Sequence, residues 1–414
     1  MRSCASFHYL CAALGAACLL AILLAAGPLR AEQTRSVADW MGVATRLDAE
    51  GKPLSALRIY GDIAAQRPDY TPATHALDRV LAQIGSARRS EAILKYVLQG
   101  ERTHRAPYLA ALRRLDATHP FRFSFSGGLL PSSNVSRTSS QTYLITDFGT
   151  FLIANGGEEE SGIGAEASLE GDWVLQPALG HRLHLRPSLS GEWYSQRQLR
   201  FLQPSLALAY ENLTGRDDWG LTASARYRAY DGRADENTSG HRAYGISAYK
   251  RWMLEAVPLE RAMVTGAALA EYRDYFDKDG YDGRFYQLSS TFQHRAGRAS
   301  LSYGARISRS DVRLDYHRYD AAGLTLGVSR PLGQSIAGGA SLRYDWRFYD
   351  ADFPLMGEPR KDRVAALSVF ATLRDIRIGD SSPRIRCGYT TSASNIALYD
   401  YESFDCGLSL DLTF

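Results

Sequence analysis

The sequence predicts a mainly β protein: a transmembrane antiparallel β-barrel of about 14 strands behind a short N-terminal α-helical domain. Three observations predict it. From Pro120 onward, apolar and polar residues alternate in segments of roughly 10–14 residues. The connections between these segments are alternately short and long. The alternation also runs to the last residue: "DCGLSLDLTF" sets Leu408, Leu410, Leu412 and Phe414 against Gly407, Ser409, Asp411 and Thr413. A period of two is that of a strand with one apolar and one polar face.

The N-terminus comes first. Its long apolar run, "LCAALGAACLLAILLAAGPL", follows Arg2 and ends before Arg30-Ala31. A charged start, an apolar centre and a small residue at the exit describe a secretory signal peptide, residues 1–31. An N-terminal transmembrane anchor is the alternative. Cys18 is a poor lipidation site, because Gly15-Ala16-Ala17 lacks the usual leucine. Hydrophobic residues make up 45% of the 414, too ordinary a share for a bundle of membrane helices. Tyr (24) and Gly (36) are abundant, as in β-rich chains. The net charge of +3 falls to +1 once Arg2 and Arg30 leave with the signal, and neither value suggests a nucleic-acid partner.

Residues 32–118 read as helical. Trp40, Val43, Ala44 and Leu47 lie at helical spacing, Gly51 breaks the run, and Ala56, Tyr60 and Ile63 begin another that stops at Pro68. Leu77 and Leu81, a break at Gly85, then Ala92 and Tyr96 repeat the scheme, so Ala-x-x-x-Tyr recurs 36 residues on. Two helical pairs with this period are similar to tetratricopeptide repeats. A small helical domain without repeat ancestry is the other reading.

Residues 119–414 are the barrel. "WGLTASARYRAY" places Trp219, Leu221, Ala223, Ala225 and Tyr227 on one face, and "SIAGGASLRYDWRF" places Ile336, Ala340, Leu342, Tyr344, Trp346 and Phe348 likewise. Such strands are long enough to cross a bilayer. Short turns fall near Pro177–Gly180, Thr214–Asp218, Ala256–Glu260, Ala296–Gly297, Pro331–Gln334 and Ile378–Pro383. Between them lie "DGRADENTSG", "RDYFDKDGYDG", "DADFPLMGEPRKD" and "TSASNIALYDY". That is the periplasmic and extracellular asymmetry of outer-membrane barrels. Twelve strands fit between His181 and Phe414, preceded by Ile163–Val174 and by one more. "FRFSFSGGLL" (121–130) is favoured as the first strand over "YLITDFGTFLIA" (143–154), which then belongs to a long loop or the barrel mouth. A closed barrel leaves no strand edge unpaired, so the last strand can run to the terminus. Leu410, Leu412 and Phe414 then face outer-membrane lipid, with Phe414 in the inner aromatic girdle. They also resemble the signal read by the barrel assembly machinery.

The polar face predicts a charged lumen. Arg182, Arg186, Arg226, Arg228, Arg251, Arg306, Arg343, Arg347 and Arg386 point inward, with Glu166, Glu170, Asp172, Glu192, Glu211, Asp345, Asp405 and Asp411. They are read either as mutual ion pairs that pack the lumen or as a basic stripe guiding an acidic or unfolded cargo. No catalytic set or metal site stands out. His181 and His184, three apart on a strand, face opposite sides and cannot share a metal. "DKDGYDG" lacks the ligand spacing of a calcium loop. Pro187 and Pro204 fall almost opposite one another if their hairpin is centred near residue 196, which predicts a paired bulge or a weak seam. With Cys4, Cys11 and Cys18 in the signal, Cys387 and Cys406 are the remaining cysteines. They lie equally far from a loop centre near residues 396–397, which makes them direct cross-strand neighbours. In an oxidising compartment this predicts a lipid-facing disulfide.

A signal peptide, a tetratricopeptide-like domain and a roughly 14-stranded barrel together resemble the surface lipoprotein assembly modulator (Slam) family of Gram-negative bacteria. "FRFSFSGGLLPSSNVSRTSS", with Ser133-Asn134-Val135, resembles the start of the barrel domain in that family. The resemblance implies translocation of lipoprotein cargo to the cell surface, with the barrel as conduit and the helical repeats as periplasmic adaptor. It implies no cofactor and no enzymatic activity. An exopolysaccharide export porin and a small-solute porin are the alternatives.

Overall fold

The computed structural model describes residues 36–413 apart from 84–85, 101–103, 138, 140–142, 147–148, 153–159, 232–238, 255–259 and 379–380. Residues 1–31 and Phe414 therefore lie outside the described residues, as does most of "DGRADENTSG".

Among the described residues, five helices come first: α1 (Val37–Ala49), α2 (Pro53–Gln66), α3 (Thr71–Gln83), α4 (Ala87–Gly100) and α5 (Ala106–Thr118). Ser36 caps α1: its Oγ accepts the Asp39 N–H at 3.2 Å, while the Asp39 carboxylate accepts the Ser36 N–H at 3.0 Å. Pro53 opens α2, where a missing N–H costs nothing. The helices bury Ala56, Leu57, Tyr60, Leu77, Val80, Leu94, Leu98, Tyr108 and Leu112 in one core. Two expectations are corrected here. The sequence pattern shows two helical pairs, and α5 is a fifth helix that completes the core with Tyr108, Ala111 and Leu112. The Ala-x-x-x-Tyr recurrence carries into packing only in part. Ala56 and Tyr60 are buried and Tyr96 packs against the same core, whereas Ala92 is exposed and α4 packs mainly through Leu94, Val97 and Leu98.

The strands are β1 (Phe121–Ser132), β2 (Tyr143–Thr146), β3 (Gly149–Leu152), β4 (Gly162–Ala178), β5 (His181–Trp193), β6 (Phe201–Asn212), β7 (Asp217–Tyr230) and β8 (His241–Leu254). They continue with β9 (Glu260–Tyr275), β10 (Gly283–Ala296), β11 (Ala299–Val312), β12 (Tyr319–Pro331), β13 (Ile336–Asp352), β14 (Pro359–Leu373), β15 (Arg384–Ser394) and β16 (Tyr401–Thr413). Fourteen of them close an antiparallel barrel in which β1 pairs with both β4 and β16. The segment 121–132 is thus the first barrel strand, and β2 and β3 form a separate hairpin.

The alternation sorts side chains as period two requires. Leu206, Leu221, Ile246, Leu288, Ile307, Leu324, Leu342 and Leu367 all stand exposed on the outer face, which suits lipid and not water. The long loops are shorter than the polar stretches suggest, because the strands run on into them. A single 3-10 turn closes several: 197–199, 279–281, 315–317 and 397–399. Within "DKDGYDG", the Asp282 carboxylate accepts the Tyr275 N–H at 2.7 Å and so caps its own loop.

The proline pair is a further correction. Pro187 lies opposite Leu206 and Pro204 opposite Leu189, one residue further from opposition than a centre at 196 gives, and the β5–β6 register runs without a bulge. The interruptions fall on the outer sides. Pairing of β4 with β5 skips Arg186 and Pro187, and pairing of β6 with β7 skips Gln203 and Pro204. A proline has no N–H for the strand its backbone faces.

Candidate functional site

The barrel interior has three layers, and charge sets each one apart. At the short-turn end the helical domain docks on the barrel through a buried ion cluster. Arg182, second residue of β5 and fully buried, reaches into it. Its Nε donates to Asp116 at 2.9 Å and its Nη1 to Glu91 at 2.6 Å and to Glu211 at 3.0 Å. Arg122 of β1 donates to the same Glu91 and Asp116. Lys95 of α4 donates to Glu211 at 3.0 Å and lies 3.1 Å from Glu91. Three carboxylates thus meet three cations, so the buried charge balances. Burial alone would raise the Glu91 carboxyl, but Arg182, Lys95 and Arg122 outweigh it and hold it down at about 2. His184 extends the cluster, with Nδ1 2.9 Å from Asp172 and Nε2 3.5 Å from Glu211. Leu213, at the β6–β7 turn, enters the helical core itself.

The middle layer is a pair of arginine–carboxylate knots. Arg226 and Arg273 both donate to Glu271 at 2.6 Å. Arg306 and Arg343 both donate to Asp345 at 2.5 Å, and Asp345 is buried. Arg306 and Asp345 meet across Gly323, the residue between them in register. A Cβ at Gly323 would lie 2.0 Å from Asp345 Oδ1 and 3.0 Å from Arg306 Nε, so the knot needs a glycine there.

Above these knots lies a cavity of about 1360 Å3 opening toward the long loops. Most of its arginines sit on β7, β9, β10, β13, β14 and β15: Arg228, Arg273, Arg284, Arg347, Arg360, Arg384 and Arg386, with Arg137, after β1, on the opposite side. Its acids sit on the remaining arc, from β5 through β4 to β16: Glu166, Glu192, Asp405 and Asp411. Several arginines also lie over aromatic rings, as Arg228 does over Phe201 at 4.4 Å and Arg347 over Tyr319 at 5.8 Å. On most strands the cavity is lined only near the long-loop end. Along β15 and β16 it descends to Arg384 and Asp411, close to the short-turn end.

The predicted lumen residues therefore divide. Arg228 and Arg347 line the cavity. Arg226, Arg306, Arg343 and Asp345 build the knots beneath it. Arg186 is half-exposed beside Asp172 at 3.3 Å. Arg182 lines no open lumen, because the helical domain seals it in. Leu410 and Leu412 keep the outward phase, opposite Gly127 and Phe125. Cys387 and Cys406 are direct register partners, 4.1 Å apart at Cα, and their sulfurs are bonded. Glu91, Asp116 and Arg122 escaped the sequence reading. A signal existed for Asp116, which follows Tyr108 and Leu112 at spacing four and so puts a carboxylate on an apolar helix stripe. Among the described residues, no group of acids, histidines and cysteines could hold a metal ion.

The sequence model of the surface lipoprotein assembly modifier family matches residues 121–414. This chain belongs to that family, and the match begins with β1, leaving the helical domain outside it. No curated protein matches the chain. Solved structures that resemble it are outer-membrane proteins. The outer membrane channel DcaP of Acinetobacter baumannii is 8% identical, covering 71% of this chain and 96% of its own, with a TM-score of 0.40. OmpT of Vibrio cholerae (in-vitro folded) is 8% identical over 71% of this chain and 98% of its own, with a TM-score of 0.40. The P. putida toluene transporter TodX is 10% identical over 75% of this chain and 94% of its own, with a TM-score of 0.38. The protein is an outer-membrane β-barrel of a lipoprotein-assembly family.

Proposed function

We propose that this protein carries lipoproteins from the periplasm to the cell surface, with the barrel as conduit and the helical domain as periplasmic adaptor. One observation carries the reading. The cavity that opens at the long-loop end descends along β15 and β16 to the level of Arg384 and Asp411, toward the end where the helices dock. A basic wall facing an acidic one gives a polar, partly unfolded chain counter-charges throughout that descent. The helical domain is seated beside the narrow end of this path, where an adaptor would hand over cargo. Leu410, Leu412 and Phe414 serve as the signal for barrel assembly, and residues 1–31 as the export signal.

The test is display. Coexpression with a lipoprotein encoded beside this gene should raise that lipoprotein's protease accessibility on whole cells. Deleting residues 33–118 should weaken display more than it weakens barrel insertion. The facing charges in the cavity also suit a small-solute porin. That reading wins if ion conductance is present and display is not.

A further inference from the structure

The barrel does not close with equal strength all the way round. Among the described residues, the β1–β16 ladder has seven register pairs, against nine to fourteen in every other ladder of the barrel. The break in it has an identifiable cause. Register pairs run from Ser124↔Thr413 to Leu129↔Leu408, lapse, and resume at Ser132↔Asp405. Ser133 N–H donates to Phe404 O at 2.9 Å, so the backbone at 133 faces β16, and by alternation so does that at 131. Residue 131 is proline, in line with Cys406, and it has no N–H to donate. Below it, Gly127 and Gly128 contribute no side chain to the seam.

Two hollows meet at this gap. On the inside, the main cavity is lined by Pro131, Ser132, Asp405 and Cys406 where it passes the seam. On the outside, a groove of about 340 Å3 is lined by Pro131, Ser132, Ile163, Phe404 and Cys406. Ile163 and Phe404 stand 71% and 54% exposed there, toward lipid. On the other side of the gap, the Cys387–Cys406 bond ties β15 to β16, so those two strands move as one body. Movement is thereby directed to the β1 side.

We infer that the β1–β16 seam is a lateral exit through which the acyl chains of a lipid-anchored cargo pass from the lumen into the outer leaflet. Acyl chains are poorly accommodated by a lumen walled with arginine and carboxylate, and a sideways exit keeps them out of water. The outer groove is where they first meet lipid. This inference rests on the lipoprotein-transport reading.

Locking the seam tests it. Ser126 and Asp411 are direct register partners on the lumen side, so Ser126→Cys with Asp411→Cys should form a removable cross-link. Ser300→Cys with Ser329→Cys places the same lock across β11 and β12. Display of a lipoprotein on whole cells is measured before and after reduction, with reduced and unreduced wild type as baselines. The seam lock is expected to lower display about tenfold or more and to release on reduction, while the β11–β12 lock changes it little. Should the first pair fold poorly, by its heat-modifiable mobility, Ser132→Cys with Asp405→Cys locks the other end of the same ladder. Equal display from seam-locked and β11–β12-locked protein overturns the exit and leaves lipoprotein transport standing. Absence of display by wild type removes the transport reading, and the exit with it.

Discussion

The docking junction and the β15–β16–β1 wall are built from the same residue types and do opposite things. At the junction, Arg122, Arg182 and Lys95 meet Glu91, Asp116 and Glu211, and protein closes over them. Along the wall, Arg384, Arg386, Asp405 and Asp411 face a cavity. The contrast teaches that an inward-pointing arginine has no fixed role. It is a latch where buried carboxylates hold its guanidinium, and a lining group where they do not. The energetics follow, since breaking a buried pair leaves an uncompensated charge, whereas an exposed pair is worth little.

The largest test of this contrast is Arg182→Ala. It strands carboxylates at the centre of the junction and should weaken docking by about 3–5 kcal/mol. Proteolysis of the helical domain in membranes should accelerate while the barrel keeps its heat-modifiable mobility. Arg386→Ala, on the wall, should leave both unchanged; equal damage from the two would erase the distinction. Next in size is the hairpin bond. Cys387→Ser with Cys406→Ser opens a closed loop of about 20 residues, for a loss of roughly 3 kcal/mol at most, read as a lower unfolding temperature of the barrel alone. Labelling of unfolded, unreduced protein should find neither Cys387 nor Cys406 accessible.

Acid gives a graded effect confined to the junction. The Glu91 carboxyl, held at about 2 against an ordinary 4.5, contributes docking stability that is complete above about 4.5. That contribution should fade as pH falls toward 2, so docking measured by hydrogen exchange of α4 should hold from pH 7 to about 5 and weaken below. Glu91→Gln should flatten this profile. The smallest perturbation is an epitope tag after Glu236, between β7 and β8. It should be detected on intact cells with little change in stability, and detection only after lysis would reverse the orientation.

The barrel was legible because its signal is local. Side-chain direction follows backbone period, so alternation alone separated Leu221 and Leu342 from Arg226 and Arg343. Hairpin register was legible where the two alternating strands locate the loop centre, which is how Cys387 and Cys406 were matched. The same reasoning set the β5–β6 centre slightly low and so misplaced Pro187 and Pro204 by one residue. Helix number failed at α5, where the notable residue is a charge, Asp116, on an apolar stripe.

What the sequence determined by itself is each strand and the face each residue takes, because both are set within a few residues of chain. Tertiary structure decided which charges are latched and which stay open. Arg182 finds Glu91, Asp116 and Glu211 only because the chain returns three times to one place, across separations of 91, 66 and 29 residues. It also decided where the barrel closes weakly. Pro131 becomes a gap in a ladder only once β16 is laid beside it, since a missing N–H matters only where a partner carbonyl waits.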